Sequence, residues 1–221
     1  MKTDITVVLD RSGSMESIVK DVVTGLNEFV RKQQGVEGDA WFTLVQFDDE
    51  YDVVHFRAPI ADVPTLTRRT YVPRGSTALL DAIGRTIVDI STRLEGMTPA
   101  DRPDQIVFAV ATDGQENASH EFTRRQIFKM IREREKPGMA DSGATASPTW
   151  EFVFLAANQD AIAEGGQMGF AAAKSVDFDA DAGGVQAAMS LMHDKVAHKR
   201  RVAGVTMDFD PKDRARASRK H

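Results

Sequence analysis

Residues 4–17 read DITVVLDRSGSMES, and the change of character halfway along that stretch decides the fold. Ile5-Thr6-Val7-Val8-Leu9 is an apolar, β-branched run of strand length. Ile18, Val22, Val23, Leu26, Phe29 and Val30 then recur at helical spacing until the pattern fades near Gln34-Gly35. A buried strand therefore feeds an amphipathic helix. Between them stand one acid and two hydroxyls at alternate positions, Asp10, Ser12 and Ser14. A chain that only had to enter a helix could use a single capping residue. Three ask for another explanation.

The same alternation continues outward. Residues 40–47 and 51–56 flank the acidic Asp48-Asp49-Glu50 and read as a hairpin, which supplies one antiparallel strand at a sheet edge. After a stretch interrupted by Pro59, Pro64 and Pro73, the apolar residues Leu79, Leu80, Ile83, Ile87, Val88, Ile90 and Leu94 line a second helix, ended by Gly96 and Pro99. QIVFAVA, residues 105–111, is the most apolar run and predicts a central parallel strand. A helix over about 120–134, a Pro/Gly/Ala/Ser-rich surface loop over 137–149, a strand over 150–156, a helix from near Asp160, a short strand at 175–178 and a last helix over about 182–199 complete the reading. Strands alternating with helices over the whole length predict a three-layer α/β fold. Its sheet is Rossmann-like, doubly wound and mostly parallel, with one antiparallel edge strand and helices on both faces. Right-handed crossovers then bring every strand-to-helix loop to one edge of that sheet, where such folds bind ligands.

With 221 residues and 42% hydrophobic composition, one domain over 1–199 is expected. No apolar stretch reaches the roughly 18 residues of a membrane span, and the first residues lack the pattern of a secretion signal, so a cytoplasmic protein with no membrane partner is expected. Zero cysteines exclude disulfides, thiolate metal sites and cysteine nucleophiles, and leave the Asn117-Ala118-Ser119 sequon without expected meaning. The net charge of −5 is unevenly spread: residues 198–221 hold eight Lys and Arg against three Asp. Residues 200–221 are read as a basic tail folding back on an acidic body, with no nucleic acid partner expected.

The candidate chemistry collects at the loop edge. Asp113 follows the central strand, and Thr77, in Arg74-Gly75-Ser76-Thr77, precedes the second helix, so two carboxylates and three hydroxyls are expected to converge there. All five are hard oxygen donors suited to a small divalent cation. Two carboxylates balance its charge while the hydroxyls add coordination without charge. Gly13 is read as easing the turn between Ser12 and Ser14. The competing explanation is helix capping, by Ser12 or Ser14 for the first helix and Thr77 for the second; capping does not call for two aspartates on the same edge.

DRSGSM resembles the D-x-S-x-S signature of the von Willebrand factor A family, GSTALLDA its threonine-bearing second element, and ATDGQEN its T-D-G element, in the family's order over roughly residues 3–180. The resemblance implies a metal-ion-dependent adhesion site in which Asp10, Ser12, Ser14 and Thr77 are ligands and Asp113 ligates directly or through water. It implies Mg²⁺, with Mn²⁺ or Ca²⁺ as alternatives, and a protein partner that supplies an Asp or Glu carboxylate. The lack of cysteines and of a secretion signal points to an intracellular prokaryotic or phage-type member, working beside an ATPase, kinase or other assembly protein.

Other signals are weaker. Asp177-Phe178-Asp179-Ala180-Asp181 starts like a calcium loop but has Ala182 where glycine and Ala188 where glutamate are required, so Asp181 is read as a helix cap. Asp48-Asp49-Glu50 is read as a solvated hairpin tip. The five histidines show no metal spacing, and no G-x-S-x-G elbow, phosphate loop or dinucleotide fingerprint occurs. The enzymatic alternative is Mg²⁺-dependent phosphoryl transfer of the aspartyl-phosphate type at Asp10. It lacks its second acid, because Ser12 stands where that acid would be. A non-catalytic module, not an enzyme, is the expectation.

Overall fold

The computed structural model describes residues 1–136, 147–157 and 160–218. Six strands form one sheet: β1 (Thr3–Asp10), β2 (Ala40–Phe47), β3 (Tyr51–Pro59), β4 (Gln105–Thr112), β5 (Thr149–Ala157) and β6 (Ser175–Phe178), in the order β3-β2-β1-β4-β5-β6. Every neighbouring pair is parallel except β2 with β3, so the hairpin supplies the antiparallel edge that the sequence predicts. The order reverses between β1 and β4, and Leu9 pairs with Ala111 at the end of that seam. Asp10 and Asp113 thus emerge on either side of the switch point, where open α/β sheets have their crevice.

Two apolar layers explain why the central strands read as continuous hydrophobic runs. On one face Ile5, Val7 and Leu9 of β1 and Val107, Ala109 and Ala111 of β4 pack against α1 (Val19–Gln34) and α5 (Ala182–Arg201), through Leu26, Phe29, Met189 and Met192 among others. On the other face Val8, Ile106, Phe108 and Val110 meet α2 (Leu79–Gly96) and α3 (Arg124–Glu135), through Ile83, Ile87, Ile127 and Ile131. Alternate residues of one strand serve opposite layers. A short α4 (Ala161–Gln167) and a C-terminal α6 (Pro211–Ala217) complete the helices.

The differences from the sequence reading have local causes. The third major helix begins at Arg124 rather than near residue 120, because a Thr123–Gln126 capping box fixes its start. Glu116 and residues 119–122 are spent on hydrogen bonds to α2. The boundary expected at 199 falls inside α5, and the segment beyond it packs on the domain: Met207, Phe209 and Ala217 enter the core. Asp181 caps α5, its side chain accepting the Gly184 N–H at 2.8 Å. Most of the loop read over 137–149 lies outside the described residues, as do Arg219 and Lys220. No helix among the described residues is long and apolar enough to cross a membrane.

Candidate metal centre

All five predicted residues meet at the carboxyl edge of the sheet. Asp10 is fully buried at the end of β1, and its Oδ1 accepts the Ser12 N–H at 2.6 Å, which folds the signature back over the carboxylate. Ser12 Oγ and Ser14 Oγ are 3.1 Å apart, and Ser14 Oγ donates to Asp113 Oδ1 at 2.6 Å. Gly114 reports the geometry most directly. A Cβ built on it would stand 3.0 Å from Thr77 Oγ1, 3.3 Å from Ser14 Oγ and 3.6 Å from Asp10 Oδ2. Oxygens from the first loop and the Thr77 loop therefore surround one point beside a residue of the third loop that has no side chain.

None of the three hydroxyls is used as a helix cap. Ser12 makes no cap bond to the 3₁₀ turn over 13–18, and the residues that begin α1 and α2, Ile18 and Ala78, have no side-chain cap either. The free N–H groups at the start of α2 are met from elsewhere. Thr77 N donates to Asn117 Oδ1, Ala78 N to the Asp48 carbonyl, Leu80 N to Glu116 Oε2 and Asp81 N to Ser119 Oγ. Asp81 returns the favour by accepting the N–H groups of His120, Glu121 and Phe122. With its capping needs met by the loop 114–122, α2 leaves the Thr77 hydroxyl for the site.

Arg11 is the cation nearest in sequence, but it is turned away from both acids. Its Nε donates to Asp48 Oδ2 at 2.9 Å and its Nη1 reaches Asp52 at 2.7 Å. Arg74 Nε binds the same Asp48 oxygen at 2.8 Å. The reading of Asp48-Asp49-Glu50 as a solvated tip holds for the exposed Asp49 and Glu50 but is corrected for Asp48, which is fully buried. Burial pushes its carboxyl up, but hydrogen bonds from Arg74, the Glu50 N–H and Arg11 outweigh that and hold it below the ordinary carboxylate range. The network ties the first loop and the Thr77 loop to the β2–β3 hairpin. Backbone bonds Gly13 N to Gly75 O and Arg74 N to Arg11 O draw the two loops together, and the buried Tyr71 hydroxyl donates to the Asp10 carbonyl at 2.6 Å.

Gly75, not Gly13, carries the conformational demand. Gly75 has φ +64°, and a Cβ there would fall 1.8 Å from Asp49 Oδ1. At Gly13 the nearest atom to a built Cβ is the Gly75 carbonyl at 3.5 Å, an ordinary contact.

The surroundings of both acids disfavour their charged forms. Burial pushes the Asp10 carboxyl up to about 6, against hydrogen bonds from Thr112 and Ser12, and the neighbouring Asp113 charge adds to the rise. Asp113 is raised as well, chiefly by burial. Thr112 Oγ1 holds Asp10 Oδ2 at 2.5 Å, a role the sequence reading passed over although Thr112 sits in the T-D-G element. A buried and a partly buried acid, with no basic partner among the described residues, plus hydroxyl oxygens fit a hard divalent ion. Among the described residues no group of three or more His, Cys, Asp or Glu is placed to hold a metal ion, at this site or elsewhere.

No family model and no curated protein matches the sequence. Solved structures do match its fold. Proximal thread matrix protein 1 from the mussel byssus, with a zinc-occupied MIDAS motif, superposes at TM-score 0.59 and 16% identity over 88% of this chain and 48% of its own. A von Willebrand factor type A protein from Catenulispora acidiphila gives 0.57 at 14% identity over 89% and 43%. The vWF domain of the type V pili tip protein Mfa5 from Porphyromonas gingivalis gives 0.60 at 11% identity over 92% and 98%. This chain spans less than half the length of the first two and nearly all of the third. At these identities the likeness establishes architecture, and this chain has the fold of a von Willebrand factor type A domain.

Proposed function

We propose that this chain is a non-catalytic, metal-dependent protein-binding module. The observation that supports it is the group of Thr77, Ser14 and Asp10 oxygens around the point beside Gly114, drawn from two loops against a third and freed from capping. Asp10, Ser12, Ser14 and Thr77 would hold a divalent cation, with Asp113 ligating directly or through water. Once bound, the cation supplies an electrophilic position that accepts an anionic oxygen from outside. Mg²⁺ suits the hydroxyl-rich donor set best, since it keeps several waters, whereas Ca²⁺ takes more protein oxygens.

The chain's own residues do the rest. Asp10, anchored by Thr112 and the Ser12 N–H, supplies buried negative charge that favours the cation. Ser14 and Asp113 lie at the more open side, where a partner's Asp or Glu would arrive. An assembly containing an ATPase or kinase, in the cytoplasm, is the setting we propose for that partner.

The mussel protein with zinc in its MIDAS supports the cation reading by analogy of fold. The test is calorimetric titration of MgCl₂ and MnCl₂ into the wild-type chain and Asp10→Ala, followed by pull-down from the native cell with and without chelator. Unchanged cation affinity in Asp10→Ala, or a partner retained in chelator, overturns the proposal. Turnover of a phosphomonoester that vanishes in Asp10→Asn would instead establish phosphoryl transfer.

A further inference from the structure

We infer that Asn117 is a positioning residue for the site, a conclusion that rests on the metal-binding reading above. Its Oδ1 accepts the Thr77 N–H at 2.9 Å, and its own N–H donates to the Thr77 carbonyl at 3.1 Å. Both backbone groups of Thr77 are therefore taken by one residue of the neighbouring loop. The donor on Thr77 also fixes the orientation of the Asn117 amide, because only the oxygen can face an N–H.

The consequence is mechanical. Thr77 comes from the loop before α2, whereas Asp113 and Gly114 come from the loop after β4. Asn117 closes the two into one unit only four residues beyond Asp113. Glu116 strengthens that unit by accepting the N–H groups of Leu80, Ala118 and Ser119 and the Ser119 hydroxyl. With the Thr77 backbone held, its hydroxyl stays at the Gly114 side, beside Ser14 Oγ and Asp10 Oδ2. An unclipped Thr77 would leave an unpaired N–H at the entrance to α2 and a hydroxyl no longer fixed in direction. Residues that orient ligands from behind influence cation affinity without touching the ion.

The experiment uses the full chain as wild type, Asn117→Ala, Asn117→Asp and Asp10→Ala, titrated calorimetrically with MgCl₂ and MnCl₂. Hydrogen exchange of the chelated proteins reads the Thr77 amide. Asn117→Ala is expected to weaken cation binding about tenfold and to speed exchange at Thr77. Asn117→Asp keeps the acceptor and is expected to restore both affinity and protection to near wild type. Wild-type affinity or unchanged Thr77 protection in Asn117→Ala, with Asp10→Ala having lost the cation, overturns the inference alone. An Asn117→Asp variant as weak as Asn117→Ala also overturns it, since the acceptor would then not be what matters. Unchanged affinity in Asp10→Ala removes the metal reading, and the inference with it.

Discussion

The Ser14 hydroxyl donates to Asp113 Oδ1 at 2.6 Å across 99 residues of sequence, and closes the first loop on the third. That bond joins a hydroxyl to one of two acids that have no basic partner among the described residues. The domain therefore carries two close acids on which hydroxyl and amide groups donate. Its stability should respond accordingly to protons and metal.

The first prediction concerns Asp10→Asn in chelator. The Asp10 carboxyl is raised by burial to about 6 in the fold, against an ordinary value of 3.8. A raised acid favours the folded state when protonated, so above pH 6 its ionisation is a cost that only the folded state bears. The asparagine variant should be more stable than wild type at pH 7.5 by up to about 3 kcal/mol. The gap should narrow as pH falls from about 6 towards 3.8 and vanish below that. Urea unfolding across this range measures it, and saturating MgCl₂ should reverse the order at pH 7.5. A gap that widens on acidification would contradict the assignment.

Gly75→Ala and Gly13→Ala form the second prediction, as a pair. The left-handed φ of Gly75 costs an L-residue about 1–2 kcal/mol before the overlap with Asp49 is counted. Loss of the Arg74 and Thr77 loop geometry should then weaken cation binding too. Gly13→Ala should change stability by less than about 0.5 kcal/mol, as at an ordinary surface position. Denaturant midpoints of the two variants decide which glycine the turn requires.

The contrast between those glycines shows what a sequence can and cannot reveal here. Strand and helix periods in Ile5–Leu9, residues 105–111 and α2 are local patterns, and they place Asp10, Thr77 and Asp113 on one edge by topology alone. The meeting of these oxygen donors was legible because Asp10 and Asp113 lie at strand ends and Thr77 at a helix start on the same edge. Arg11–Asp48–Arg74, the Asn117–Thr77 clip and Thr112–Asp10 depend on side chains meeting over long separations, and no period announces them. Asp48 looked like an exposed hairpin acid because nothing in its own neighbourhood names Arg11 as partner. Charge composition misled at the C-terminus for a related reason: it counts Lys199 and Arg200 as basic, although both are buried and hydrogen-bonded.

Arg200 supplies the third prediction. Its guanidinium donates to the Gln33 carbonyl at 2.7 Å, to Gln33 Oε1 at 2.9 Å, and to the carbonyls of Val36 and Gly38 at 2.9 Å each. It thereby satisfies the carbonyl end of α1 and the turn leading to β2. Arg200→Ala should cost about 3 kcal/mol in urea unfolding, since hydrogen bonds from a buried charged donor are lost together. Arg201→Ala, at an exposed position, should lie within about 0.5 kcal/mol of wild type. Equal effects would mean that the buried hydrogen bonds of Arg200 add no stability beyond that of an exposed arginine.

Gly114→Ala tests the centre itself. The added methyl would sit 3.0 Å from Thr77 Oγ1 and 3.3 Å from Ser14 Oγ, closer than most carbon–oxygen contacts, and 3.6 Å from Asp10 Oδ2. Room for it exists only if those hydroxyls give way by a few tenths of an ångström. The metal-free fold can make that adjustment, because neither hydroxyl caps a helix and the carboxylate is anchored from behind by Thr112. A bound cation cannot share the same space, since its ligands must converge at about 2.0–2.1 Å. The variant should therefore melt within a few degrees of wild type in chelator, yet lose at least about tenfold in Mg²⁺ affinity and most of the thermal shift that MgCl₂ confers. Thermal melts with and without MgCl₂ separate the two effects. A Gly114→Ala protein that keeps the full wild-type shift would mean that any cation lies away from the ring of oxygens, and the assignment of Thr77 and Ser14 as ligands would fall.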